Sequence, residues 1–234
     1  MIRRLVVAAL AAALPFAASA QYASGRWGSV EVGAERYRPD IDSDLPAPGA
    51  YHLVFQGGDR WMFRLGISKT LYTGMGSVEA GVRTGYFQDS AEALISDGAT
   101  PPVYTRALVE TKLHVIPSSL TLTYRFDWPV ERHRIPLAPY VRLALERYNW
   151  WISDGEGEVE SGATNGWSAT AGIAFLLDIL DPGSARAMDR DAGVNHTYLF
   201  LEATKSRIDD FGSSTSWDLS DEDFSFGGGL LFVF

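Results

Sequence analysis

The first residues to weigh for chemistry are four histidines and a surplus of carboxylates, since the chain contains no cysteine. That excludes disulfides and thiolate metal sites. The run "DIDSD" places Asp40, Asp42 and Asp44 at the first three ligand spacings of a calcium loop. An EF-hand then requires glycine at the sixth position and glutamate at the twelfth, where Leu45 and Tyr51 stand. The chain is therefore no EF-hand. Asp40, Asp42 and Asp44, with Asp221, Glu222 and Asp223 of "DLSDED", remain candidates for loose divalent-ion binding only. A solvated acidic rim is the plainer reading, since calcium sites need rigidity as well as charge. Histidine is the usual general base. His52 lies in an acidic stretch, His114 within an alternating segment, His133 in a basic turn and His196 at the start of another alternating segment. None stands in a local nucleophile–base pattern, so no catalytic residue and no cofactor are expected.

The elements that carry these residues show a period of two. "SVEVGAER" sets Val30, Val32 and Ala34 on one face against Ser29, Glu31, Gly33 and Glu35 on the other. "RWMFRLGIS", "SVEAGVRTGYF", "LTLTYRFDW", "YVRLALE", "WSATAGIAFLLDI", "TYLFLEATK" and the final "FSFGGGLLFVF" continue the pattern. Eight strands result, near the 9–11 residues that cross a bilayer. One face is apolar. The other carries Glu31, Glu35, Glu79, Asp127, Glu146, Asp178 and Glu202 against Arg64, Arg83, Arg125 and Arg142. In a soluble sheet the charged face meets water. In lipid the same alternation is turned inside out, and the charges fill a narrow lumen as ion pairs.

The connections decide between the two. The first, third, fifth and seventh (residues 38–59, 88–107, 152–166 and 208–223) hold 17 acidic residues and two basic ones, Arg38 and Arg106. Their acidic rim includes Asp154, Glu156 and Glu158 beside the metal candidates. The alternate connections, "YTGMG", "PVERHRIP" and "DPGSARAMDRDAGVN", are shorter on average and mixed in charge. Long loops at one end and turns at the other are the asymmetry of outer-membrane barrels. Aromatics mark both strand ends. Trp61, Tyr86, Trp150, Trp151, Trp167, Phe224 and Phe226 lie near the acidic loops, and Tyr72, Phe126, Trp128, Phe232 and Phe234 near the turns. A ten-strand variant, with a hairpin in "YHLVFQGGDRW" and a break at Pro117, would put an acidic loop on the wrong side, so eight is preferred. The fold class expected is all-β, an eight-stranded antiparallel up-and-down transmembrane β-barrel.

Residues 1–20 read as a secretory signal peptide: Arg3 and Arg4, an apolar run from Leu5 to Ala18, then Ala18-Ser19-Ala20. The barrel domain is then 21–234. Loss of the two arginines takes the net charge from −9 to −11, a balance that argues against nucleic acid.

The ending, with Phe226, Leu230, Phe232 and Phe234 at alternate positions, resembles the assembly signal of bacterial outer-membrane barrels. Gly228 departs from the apolar preference at one of those positions. The whole chain resembles the small eight-stranded group that includes the OmpA transmembrane domain, OmpX and OmpW. More closely, "WGSVEVGAERYRPDIDSDL", "SLTLTYRFDW" and "PLAPYVRLALERYNWW" are similar to an uncharacterised barrel family typical of myxobacteria, over residues 27–234. The resemblance implies an outer-membrane location in a Gram-negative bacterium, contact with outer-membrane lipid and lipopolysaccharide, recognition by the barrel insertion machinery, and a monomer. It implies no activity, and no appended peptidoglycan-binding module is expected. A lipid A deacylase of the outer membrane carries serine two residues after its histidine, and "HVI", "HTY" and "HLV" lack it. The constellations of palmitoyl-transfer and protease barrels are not found either. The function expected is a non-enzymatic, porin-like or OmpA-like barrel with a structural or surface-interaction role. Small-molecule or ion passage, lipid modification, and a secreted lipocalin-like ligand binder are the alternatives.

Overall fold

The computed structural model describes residues 26–42, 49–56, 58–96, 104–154, 157–213 and 215–234. The proposed signal peptide (1–20), Asp44, Glu156 and the Glu158 side chain lie outside the described residues. Eight antiparallel strands follow the period-two segments: β1 (Gly28–Tyr37), β2 (Arg60–Thr73), β3 (Ser77–Ser96), β4 (Tyr104–Arg125), β5 (Leu137–Asp154), β6 (Gly157–Leu176), β7 (His196–Arg207) and β8 (Ser225–Val233). Each pairs with its neighbour in sequence, and β8 closes on β1. The closing register runs from Ser29↔Val233 to Glu35↔Gly227. It is continued by Phe234, whose amide donates to Gly28 O (2.9 Å) and whose carbonyl accepts from Trp27 N (2.7 Å). Closure leaves no edge strand with unpaired backbone groups.

Polarity is inverted relative to a soluble barrel. Val32, Leu65, Ile67, Val82, Leu120, Leu122, Val141, Leu143, Leu145, Leu199 and Leu201 stand on the exposed outer wall. Arg64, Arg83, Arg125, Arg142, Glu31, Glu79 and Glu202 are buried inside. A lipocalin-like barrel with its apolar face inward is thereby ruled out.

Three features differ from the sequence reading. First, the second and third acidic segments are largely not loops. The β3–β4 ladder continues to Ser96↔Tyr104 and the β5–β6 ladder to Asp154↔Gly157, so these strands run to 18–22 residues. Hydropathy fades there while the pairing persists. Second, the first acidic segment folds a short helix, α1 (Ala50–Phe55), where a hairpin had been the alternative. Third, two turn-end connections hold helices, α2 (Trp128–His133) and α3 (Pro182–Ala192). Asp181 caps α3 by accepting from Gly183 N and Ser184 N, Pro182 fixes the first turn, and Gly193 ends the helix in the left-handed region at φ 71°. Among the described residues no helix is long and apolar enough to cross a membrane. As the eight-strand preference expects, Pro117 does not split β4. It stays in register with Tyr148 of β5, while the ladder to β3 is interrupted between Thr84↔Ser118 and Phe87↔Val115, where proline has no N–H to give.

Candidate functional site: a plugged lumen beneath a clamped rim

Inward positions, read from one mouth to the other, form three zones. The middle zone is charged and alternates in sign. Glu31 binds Arg83 (Oε1–Nε 2.5 Å) and Arg142 (Oε2–Nη2 2.6 Å). Glu202 binds the same two arginines (3.0 and 3.2 Å) and accepts from Tyr140 Oη (2.7 Å). The result is a closed quartet of two carboxylates and two guanidiniums drawn from β1, β3, β5 and β7. Toward the turns, Arg125 holds Glu79 (3.0 Å) and Asp127 (2.8 Å), with Ser29 and Ser77 donating to those carboxylates. Toward the acidic end, Arg64 holds Glu35 (2.7 Å) and donates to Tyr148 Oη (2.8 Å). Glu146 has only Ser168 Oγ (2.8 Å) on one oxygen. Its Oε2, Arg64 Nη1 and Ser119 Oγ are buried without a hydrogen-bond partner among the described residues. Buried polar atoms in this condition are the usual seat of an ordered water.

Apolar zones close the lumen at both ends. At the acidic end, Met62, Phe87, Leu113, Val115 and Trp150 point inward and pack with Tyr37, Tyr51 and Phe55 of α1, Ile208 and Leu219. Trp217 stacks on Trp150 at 3.9 Å and 8°. At the turn end, Val130, Tyr140, Leu176, Tyr198, Phe200, Leu231 and Val233 form the second plug.

Ten of the eleven charges expected in the lumen are buried there, and one is not. Asp178 lies past the end of β6 in a 3-10 turn (Leu177–Ile179). At the turn-side rim it binds His196 Nδ1 (2.8 Å) and accepts from Thr197 N (3.0 Å). Trp150, assigned from sequence to an outer aromatic girdle, faces the plug instead. Trp61, Tyr86, Trp167, Phe224, Phe226, Tyr72 and Trp128 are exposed as expected. In the final strand Phe226 is exposed, and Leu230, Phe232 and Phe234 are half-buried on the outer face. Trp27 packs on Phe234, ring centres 5.6 Å apart.

The acidic candidates at the rim are tied into the fold. Asp42 accepts from Tyr51 N (3.0 Å) and His52 N (2.7 Å), so it anchors α1. Asp40 N donates to Ser220 O (3.0 Å), and Pro39 and Asp221 form an isolated bridge. Glu222 pairs with Arg38, and Asp223 lies 3.9 Å from the same guanidinium. Lys205 Nζ reaches the carbonyls of Asp221, Glu222 and Asp223 (3.2–3.4 Å). Among the described residues no three acidic or histidine side chains converge as a metal site would require.

Asp221 is the unusual member. Burial pushes its carboxyl up to about 7, the nearby charges of Glu35 and Asp59 push the same way, and backbone donors at Asp223 and Arg38 oppose them. Its Oδ2 is buried without a hydrogen-bond partner among the described residues. The folded carboxyl thus keeps a proton that the unfolded one, with an ordinary value near 3.8, has lost. The clamp is therefore firmest near pH 4, weakens as pH rises from about 4 to 7, and is level above that. With solvent screening at the rim the effect is of the order of 1 kcal/mol. Backbone hydrogen exchange over residues 218–224, corrected for intrinsic rates, should show roughly twofold more protection at pH 5.5 than at pH 8, since about half of the effect falls above pH 5.5. Asp221→Asn should remove the difference.

Neither a protein-family model nor a curated protein sequence matches the chain. Solved structures are similar in shape at low identity. The N-terminal β-barrel domain of Pseudomonas aeruginosa OprF is 14% identical with a TM-score of 0.45, over 90% of this chain and 100% of that one. Neisserial surface protein A is 13% identical with a TM-score of 0.46, over 90% and 98%. Ail, the attachment invasion locus protein of Yersinia pestis, solved with the heparin analogue sucrose octasulfate, is 12% identical with a TM-score of 0.40, over 89% and 99%.

Proposed function

We propose that the chain is an outer-membrane barrel of the small OmpA-, OmpX- and OmpW-like group, with a structural or surface-interaction role exercised through its acidic end. One observation carries this reading. The barrel presents aliphatic side chains to its surroundings on every strand and seals its own interior with ion pairs between two apolar plugs. Only a lipid solvent makes such an outer wall favourable, each fully buried leucine-sized side chain contributing roughly 1.5–3 kcal/mol on leaving water. The nearer likeness to the myxobacterial-type family rests on segments 27–45, 119–128 and 136–151.

On this reading residues 1–20 direct export and are cleaved, and the chain is a monomer in the outer membrane of a Gram-negative bacterium. The series Phe226, Leu230, Phe232 and Phe234 meets the insertion machinery. The acidic rim faces lipopolysaccharide, reached through bridging divalent ions, or surface partners. The passage alternative is disfavoured by the two plugs. Refolding residues 21–234 into detergent micelles should give a species that migrates differently before and after boiling. The same protein in a planar bilayer should give no stepwise conductance. A soluble monomer without detergent would overturn the membrane reading, and reproducible channel steps would overturn the sealed lumen.

A further inference from the structure

The outer wall carries a chain of four hydrogen-bonded side chains that neither the plugs nor the rim uses. Ser153 Oγ on β5 lies 3.3 Å from His114 Nε2 on β4. His114 Nδ1 lies 2.8 Å from Tyr86 Oη on β3. Tyr86 Oη donates to Gln88 Oε1 at 2.9 Å. All four point outward, because Phe87 and Asp89 on β3, Leu113 and Val115 on β4 and Trp150 on β5 take the inward positions. Neighbouring registers Gln88↔His114, His114↔Trp151 and Lys112↔Ser153 bring them together. The Trp151 ring lies flat on the His114 imidazole, centres 4.8 Å apart at 10°, and fixes its plane.

Proton inventory gives the chain a direction. The Tyr86 phenol has one proton and gives it to Gln88, so His114 Nδ1 must carry the proton shared with Tyr86 Oη. Nε2 is then bare and accepts from Ser153. This is the arrangement of a serine nucleophile, a neutral imidazole base and an orienting group. Sequence spacing could not reveal it, because the serine comes from the next strand and not from two residues after the histidine.

Height on the wall indicates the substrate class. The outward aliphatic run ends at Ile116 on β4 and at Leu145 on β5, with the Ser118↔Arg147 pair between those two levels. His114 stands two residues beyond Ile116, about 7 Å along the strand at the usual rise and roughly 5 Å above the hydrocarbon edge at the usual tilt. Lys112 stands beside Ser153 on the same face, paired with Glu110 at 3.1 Å, and Arg147 lies below at the level of Ser118. We propose that Ser153 and His114 form a catalytic pair, positioned by Tyr86 and Gln88, that hydrolyses acyl esters of anionic lipids at the headgroup level. The proposal rests on the outer-membrane reading and adds an activity to it.

In the acylation step Ser153 Oγ bonds to the ester carbonyl carbon while its proton passes to His114 Nε2. The former carbonyl oxygen takes the negative charge of the tetrahedral intermediate. Collapse breaks the bond to the headgroup oxygen, which takes the Nε2 proton and leaves as the alcohol. Water then attacks the acyl-serine, giving a proton to Nε2. The second collapse returns that proton to Ser153 Oγ and releases the fatty acid. One ester and one water give one alcohol and one acid.

Residues 21–234, refolded in micelles and verified by the boiling-dependent shift, should form a single adduct with an alkyl fluorophosphonate, mapped by mass spectrometry to Ser153. Ser153→Ala should abolish it, and His114→Ala should slow it about a hundredfold. Tyr86→Phe should cut the maximal labelling rate roughly tenfold, a part of the hundredfold or more that a general base supplies, and leave the half-saturating probe concentration unchanged. Fatty-acid release from phosphatidylglycerol vesicles or from lipopolysaccharide vesicles identifies which lipid supplies the ester. In a barrel that shows the boiling shift, no adduct, an adduct indifferent to His114→Ala, or labelling without release from either vesicle overturns the site and leaves the membrane reading intact. A chain that never shows the shift overturns both.

Discussion

Glu202→Leu is expected to lower the unfolding free energy of the vesicle-embedded barrel by about 3–5 kcal/mol, the usual cost of removing one partner from a buried charge network. Glu202 alone neutralises half of a closed quartet. It holds Arg83 at 3.0 Å and Arg142 at 3.2 Å while accepting from Tyr140. Without it two guanidiniums share Glu31, and no water-filled path relieves them, because apolar plugs lie on both sides. Urea midpoints in vesicles measure the loss. Leu201→Ala, one residue away on the outer wall, removes no charge partner and should cost far less. Pairing Glu202→Leu with Arg83→Met removes a cation as well as an anion, and should recover roughly 1–2 kcal/mol through non-additivity. A loss below about 1 kcal/mol for Glu202→Leu alone would mean that water reaches the arginines.

That quartet shows which parts of the fold a period of two makes legible. Alternation assigns a face, so Glu31, Arg83, Arg142 and Glu202 could all be placed inside from sequence. It does not assign a height, and height depends on the stagger of every strand around the barrel. Which arginine meets which glutamate was therefore hidden. Trp150 is a different case: its parity with Arg142 and Glu146 points inward, so the face is legible, and nearness to a strand end alone suggests a girdle. Asp178 was misplaced because the strand pattern was extended past Leu176 into the 3-10 turn. Helix α3 was missed although Asp181, Pro182 and Gly193 stand at the positions that cap and end a helix. Here a reading tuned to strands passed over a signal that was present. Ser153 and His114 belong to a different class. Their partnership is purely cross-strand, and no local spacing carries it.

Gly229→Val is expected to abolish the closed barrel, leaving a chain whose migration no longer depends on boiling. The three glycines of "FGGGLL" each meet a different obstacle at the seam. At Gly227 a methyl would press on the Cβ of Glu35 (2.7 Å) and on Ala34 O (2.8 Å). At Gly228, the outward position that breaks the apolar series, it would meet Phe200 O (2.7 Å) and Leu201 Cδ2 (2.9 Å), so the neighbouring leucine already covers that patch. At Gly229 it would lie 2.1 Å from Val32 O and 2.5 Å from Gly33 Cα, both backbone. Side chains can turn aside; the backbone of β1 can yield only by widening the seam. Register places Phe200, Gly229 and Gly33 in one row across β7, β8 and β1. The buried Phe200 ring spreads over that row, filling the space the glycines leave. Phe200→Ala combined with Gly229→Val should therefore give no rescue, since the ring is not what the valine strikes. A widened seam would expose unpaired N–H and C=O groups of β1 and β8 to hydrocarbon, at several kcal/mol each. That cost makes the defect one of assembly and not of marginal stability: the Gly229→Val chain should stay unfolded in micelles and vesicles alike. A Gly229→Val chain that folds and still shifts on boiling would show that β8 reaches β1 by another register, with Phe234 no longer bonded to Gly28.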